Sequence, residues 1–128
     1  MRKELEQRLV ERWPTWFNLE GESHPMLMPY SFAHGDGWFD LVWTLCERLE
    51  AVVAVAETET GRSFGVLQVK EKFGGLRFYT NYRNDAISAL IEAAAIESIH
   101  TCEVCGGPGR LRGTSWLETK CDEHANAS

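Results

Sequence analysis

Two short strings near the end of the 128-residue chain carry metal-binding residue types: Cys102-Glu103-Val104-Cys105 and Cys121-Asp122-Glu123-His124. Each holds two donors across a two-residue gap, and fifteen residues, Gly106 through Lys120, separate the pairs. Thiolate and imidazole are preferred zinc ligands, and a two-residue gap lets both donors of one turn reach a single ion. Four protein donors complete a tetrahedron, whereas a catalytic zinc keeps one position open for water or substrate. The pattern therefore predicts one structural zinc per chain, held by Cys102, Cys105, Cys121 and His124. The competing readings are a Cys102–Cys105 disulfide or four unrelated residues.

The other chemistry-bearing residues have simpler explanations beside the functional ones. Cys46 lies in an apolar helical stretch and is expected to be a small buried hydrophobe. His24 and His34, with Asp36 and Asp40 close by, offer a general base oriented by a carboxylate. Glu71, an acid on the apolar face of a strand, would become a general acid if burial raised its pKa. Residues 24–40 with Glu71 thus define an enzyme reading. Against it, no nucleophile motif or second metal cluster accompanies them, and His34-Gly35-Asp36-Gly37 equally reads as a turn and cap before a helix. His100, ending a helix beside the zinc motif, suits a partner of the helix dipole.

The elements that position these residues follow from periodicity. Leu5, Leu9 and Trp13 recur at helical spacing over residues 2–13, which end at Pro14. From Thr15 to Gly37 the pattern breaks into an ordered connection, since Trp16, Phe17, Tyr30 and Phe32 are too apolar to stay solvated. Asp36 is the expected N-cap of a central helix from about Trp38 to Ala56, buried on most sides, with a turn at Glu57–Gly61. Phe64 to Tyr82 reads as a hairpin whose loop is Gly74-Gly75, pairing Phe73 with Leu76, Glu71 with Phe78 and Val69 with Thr80. Its other face carries Gln68, Lys70, Lys72, Arg77, Tyr79 and Asn81. Asn84-Asp85 caps a third helix to about His100, burying Ile87, Leu90, Ile91 and Ala94. Gly106-Gly107-Pro108-Gly109 forms a knuckle after the first cysteine pair. Leu111, Trp116 and Leu117 flank a small hairpin around Gly113-Thr114-Ser115, and Cys121 and His124 share one face of a terminal helical turn.

Knuckle, hairpin and helix start, over residues 101–127, resemble a treble-clef zinc finger. That architecture serves nucleic-acid binding, protein binding and scaffolding alike. The expected fold is α+β: three helices packed on a β-hairpin, with a C-terminal treble-clef-like zinc module. Residues 1–100 would form the helical and hairpin core and 101–128 the zinc module packed on it, one compact domain overall. Gly-Trp-Phe-Asp-Leu-Val-Trp at 37–43, Gln-Val-Lys-Glu-Lys-Phe-Gly-Gly-Leu-Arg-Phe-Tyr at 68–79, and the two metal strings together resemble a group of small uncharacterised proteins of bacteria and their phages. The resemblance spans most of residues 35–125. It implies a mobile-element protein and brings no activity with it.

Composition bounds the function. Hydrophobic residues at 44% and charged residues at 25% belong to a globular chain rather than a disordered one. The formal net charge of −6 disfavours a general nucleic-acid coat or a polybasic membrane binder. No apolar run approaches a membrane span of ~18 residues, and the charged first residues lack a signal-peptide core, so a cytoplasmic protein with reduced thiols is expected. Charge is segregated: Arg62, Lys70, Lys72, Arg77 and Arg83 outnumber Glu71 in residues 62–83, while both flanking regions are acidic. The leading expectation is a small non-catalytic, zinc-stapled interaction protein that binds a macromolecular partner, in one version a phage-encoded inhibitor of a host defence or host enzyme. Lys70, Lys72, Arg77 and Tyr79 are the candidate partner-binding residues; the competing reading is a basic face that neutralises the chain's own acidic helices or stays solvated and guards a strand edge. The alternative is nucleic-acid binding through hairpin 68–83, helped by Arg110 and Arg112 at the knuckle. Either a monomer or a homodimer is compatible with this sequence.

Overall fold

In the computed structural model, residues 1–17 and 32–125 are described. They form an α+β arrangement of four helices and two small sheets. Helix α1 (Lys3–Arg12) buries Leu9, and its C-cap Trp13 is buried too, as the helical spacing predicts. Trp13 is fixed from three sides. Its indole N–H donates to Glu50 at 2.8 Å, and its ring stacks with Trp16 and meets Trp43 edge-on.

The central helix α2 (Phe39–Thr60) is longer than expected and begins differently. A single 3-10 turn, Asp36–Trp38, leads into it, and no side chain caps either start. Asp36 is not the N-cap: its carboxylate accepts the Arg2 backbone N–H at 2.7 Å and pairs with the Arg2 guanidinium at 2.9 Å. It ties the start of the chain to the helix entrance instead. The expected turn at Glu57–Gly61 is helical through Thr60. Thr58 and Thr60 donate their hydroxyls to the carbonyls of Ala54 and Ala56 one turn back, and Gly61 in the left-handed region ends the helix.

The hairpin is β2 (Val66–Lys72) and β3 (Gly75–Thr80), but its loop is Phe73-Gly74 rather than Gly74-Gly75. Val69 faces Phe78, Lys70 faces Arg77 and Glu71 faces Leu76. Both loop residues have positive φ, 55° at Phe73 and 81° at Gly74, as a two-residue loop matched to strand twist requires. The Gly74 N–H donates to the Glu71 carboxylate at 2.7 Å, a bond that holds the turn. From Gln68 to Lys72 each cross-strand partner moves by two positions relative to the expected register, and a bulge before Gln68 shifts the Val66–Thr80 pair by one more. A two-residue slide keeps the paired side chains on their faces. Val69, Leu76 and Phe78 therefore still point into the core, while Phe73 leaves it for solvent.

The hairpin is also not alone. A two-residue strand, β1 (Phe32–Ala33), pairs parallel to β2, with Phe32 opposite Val69, giving the order β1-β2-β3. A strand this short inside an irregular stretch leaves no period to read. Helix α3 (Asp85–Ser98) starts where expected, the Asn84 side chain accepting the Ile87 N–H at 2.8 Å. At its end Ser98 accepts the Leu76 N–H at 2.9 Å, occupying a donor on the outer edge of β3. One core joins Leu9, Phe17, Trp38, Val42, Leu49, Val53, Phe64, Val69, Phe78 and Ile87. The chain closes with β4 (Arg110–Arg112), β5 (Glu118–Lys120) and the single-turn helix α4 (Asp122–Ala125). No described helix is long and apolar enough to cross a membrane.

Candidate metal centre

The knuckle brings Cys102 and Cys105 together: the Gly106 N–H donates to the Cys102 carbonyl and the Cys102 N–H to the Gly107 carbonyl. Strands β4 and β5 then return the chain so that Cys121 and the first turn of α4 stand opposite. Arg112 braces this return, donating to the Lys120 carbonyl at 2.9 Å and pairing with Asp122 at 2.6 Å. That ion pair also holds the Asp122 carboxyl below its usual pKa.

The donors of Cys102, Cys105, Cys121 and His124 all lie within 4.8 Å of one another, and no disulfide forms among the cysteines. Cys105 and Cys121 sulfurs are 3.9 Å apart, and His124 Nδ1 stands 3.1 Å from Cys121 Sγ and 3.6 Å from Cys102 Sγ. Thiolates about 2.3 Å from a tetrahedral zinc stand about 3.8 Å apart, so the cluster has the dimensions for one zinc ion with Nδ1 as the histidine donor. Burial raises the Cys102 thiol, but the N–H groups of Cys105, Cys121 and Val104 outweigh it and bring its pKa down to about 6. That favours the thiolate a metal needs. At Cys105 the Gly107 N–H lowers the pKa, yet burial and the neighbouring Cys102 and Cys121 thiols raise it on balance. Crowded thiolates repel one another until a cation sits among them.

The segment offered for catalysis turns out to hold the knuckle. Glu103, inside the first cysteine pair, accepts the Gly35 N–H on its carboxylate at 2.8 Å and the Gly37 N–H on its carbonyl at 2.8 Å. The Trp38 indole donates to the Thr101 carbonyl at 2.8 Å. The backbones come so close that a Cβ on Gly37 would sit 2.2 Å from the Cys102 carbonyl oxygen, which only glycine avoids. Burial raises the Glu103 pKa, partly offset by its bond from Gly35.

His34 is buried between Phe32 and Trp38, its Nδ1 bonded to the Gly35 carbonyl at 2.8 Å. Its Nε2 is buried without a hydrogen-bond partner among the described residues. Burial lowers its pKa to about 4, against the raising effect of the Gly35 bond, so the ring is neutral at physiological pH. Asp36 is engaged by Arg2, and Glu71 by the hairpin turn. His24 lies outside the described residues. Cys46 is fully buried in α2, and burial pushes its thiol well up, as a core residue rather than a nucleophile.

Lys70, Lys72, Arg77 and Tyr79 do share one face of the β2–β3 ladder. Arg112, by contrast, spends its guanidinium on Asp122 and Lys120. Sequence reasoning missed Glu103, whose role had one signal: the Gly35-x-Gly37 spacing, which marks close backbone approach as well as a turn. It also missed Thr119, which donates to the Gly74 carbonyl at 2.6 Å and ties β5 to the hairpin tip. No protein-family model, curated protein or solved structure matches the chain.

Proposed function

We propose that this chain is a non-catalytic, zinc-stapled binding module of the cytoplasm that meets an acidic protein partner through the basic face of β2–β3. The observation that carries the reading is the ladder itself. Lys70 stands directly opposite Arg77, with Lys72 and Tyr79 on the same face, and none of the three cations has a carboxylate at ion-pair distance among the described residues. Like charges directly opposite on a ladder are destabilising, and an acidic surface relieves them. The chain has acids in excess, yet those found in ion pairs serve Arg2, Arg12, Arg112 and Lys120. Tyr79, 40% exposed, adds a rigid amphipathic contact of the kind enriched at interfaces.

In this reading the knuckle, β4–β5 and α4 act as a treble-clef-like scaffold packed on three longer helices and the hairpin. One concrete form is a mobile-element inhibitor of a host defence protein or enzyme, its acidic surface filling a nucleic-acid groove while the hairpin sets the register. The test compares the wild type with a Lys70→Glu, Lys72→Glu, Arg77→Glu variant in affinity capture from bacterial lysate, alongside oligonucleotide anisotropy at low salt. A stoichiometric protein lost with the variant supports the reading. Oligonucleotide binding that falls steeply with salt supports the nucleic-acid alternative instead, and identical captures from both proteins reject the basic face.

A further inference from the structure

Among the described residues, the two most exposed large aromatic side chains stand at adjoining hairpin tips. Phe73, at the β2–β3 turn, is 66% exposed, and Trp116, in the β4–β5 connection, is 75% exposed. They line one groove of about 320 Å³ with Leu117, Ser115, Glu71 and Lys72. Its walls are held in place. The Thr119 hydroxyl donates to the Gly74 carbonyl at 2.6 Å, and Leu111 packs so close over Gly74 that a Cβ there would meet its Cδ1 at 2.3 Å.

Phe73 also occupies the wrong kind of position for a phenylalanine. With φ at 55° it is the only non-glycine residue at positive φ among the described residues. The first position of such a turn favours Asn, Asp or Gly, and a bulky residue there is strained. Strain at a surface turn, with the ring left in water, gains nothing for the fold and points to a ligand. The groove opens at Lys72 onto the cationic ladder, and Lys72 Nζ lies 5.6 Å from the centre of the Phe73 ring. Apolar walls beside a row of cations complement an apolar side chain flanked by carboxylates.

We propose that this groove is the anchor site for an acidic peptide segment of the partner. One large apolar side chain enters between Phe73 and Trp116, and flanking carboxylates meet Lys72 and Lys70. The proposal rests on the acidic-partner reading above and deepens it. A row of three cations on a chain of formal net charge −6 suits a short acidic segment better than nucleic acid, whose recognition draws on an extended basic patch.

The experiment uses the full zinc-loaded chain and fluorescein-labelled Asp/Glu peptides with a single central Trp, Leu or Ala, plus an oligothymidylate of similar length. Trp and Leu peptides are expected to bind at least ~10-fold more tightly than the Ala peptide, which corresponds to one buried anchor. Phe73→Asn and Trp116→Ala should each erase that preference, and Phe73→Asn should leave the Tm equal or higher because it relieves the turn. Lys70→Glu with Arg77→Glu should weaken all three peptides alike. Equal binding of the three peptides, unchanged by Phe73→Asn but weakened by charge reversal, overturns the groove and leaves the basic face standing. Binding of no peptide overturns both. Oligothymidylate binding that depends on Phe73 and Trp116, without peptide binding, replaces the proposal with a base-stacking platform.

Discussion

Among the described residues the zinc module meets the rest of the chain at the knuckle and at the hairpin tips, and the two contacts are built on opposite principles. At the knuckle, Gly35 and Gly37 press backbone against backbone and the Trp38 indole donates to the Thr101 carbonyl, with His34 buried beside them. At the hairpin tips, one buried Thr119 hydrogen bond holds two elements together while Phe73 and Trp116 remain in water. Among the described residues, every buried side-chain nitrogen and oxygen at the first contact except His34 Nε2 has a hydrogen-bond partner. The second leaves apolar surface and a strained turn uncovered. Burial with paired donors is how a fold holds itself; exposed aromatics beside it are what the proposed anchor site would use.

The comparison can be broken from the metal outward. Cys102→Ser, or a strong chelator, should have the largest effect, because metal binding free energy is folding free energy in such modules. Native mass spectrometry should show one zinc per chain in the wild type and none in the variant, with loss of amide-exchange protection across residues 101–125. A variant that keeps zinc and protection would remove the staple from the account. Next, Gly37→Ala should destabilise by about 3 kcal/mol, at the upper end for overpacking, because its Cβ meets backbone that has nowhere to go. Gly107→Ala is the control, since its Cβ would meet only the Cys105 sulfur at 3.5 Å. Equal urea midpoints for the two variants would show that the contact is loose.

The His34 side of the knuckle contact carries a pH signature. The unfolded chain binds a proton as pH falls through 6.5, while the folded ring refuses it until about 4. Stability is therefore full above pH 6.5 and declines as pH falls toward 4, by about 3 kcal/mol in total. His34→Phe should flatten that part of the urea-midpoint profile relative to the wild type, and parallel profiles would exclude His34 as its source. The smallest effect belongs to the exposed contact. Trp116→Ala should change stability by no more than about 0.5 kcal/mol, as expected of a surface side chain. A loss of several times that would mean the ring supports the fold.

Local spacing in the sequence carries much of this arrangement. The four metal donors, the capped third helix and the two faces of the hairpin all depend on local spacing, which a one-dimensional pattern carries. The two strand faces are legible whichever of the two loops forms, because moving the loop by one residue slides the pairing by an even number of residues. The loop itself was ambiguous, since Gly74-Gly75 satisfies the turn on propensity alone. Glu71 holds the observed turn locally, while Thr119 reaches it from β5, 45 residues along the chain. Asp36 failed as a cap for a similar reason, because Arg2, far along the chain, competes for its carboxylate.

What the sequence determined by itself, then, is the chemistry that neighbours in the chain can share: a Cys3His set at metal-ligand spacing, helices with buried stripes, and a strand pair with one basic face. Tertiary structure alone decided what those pieces do to one another. It made His34-Gly35-Asp36-Gly37 a clamp on the knuckle, and gave Glu103 a purpose beyond spacing two cysteines. It also placed Phe73 beside Trp116, residues 43 positions apart in the chain. Hydrogen bonds and close packing between distant segments leave no periodic trace, because each depends on where the rest of the chain brings its partner.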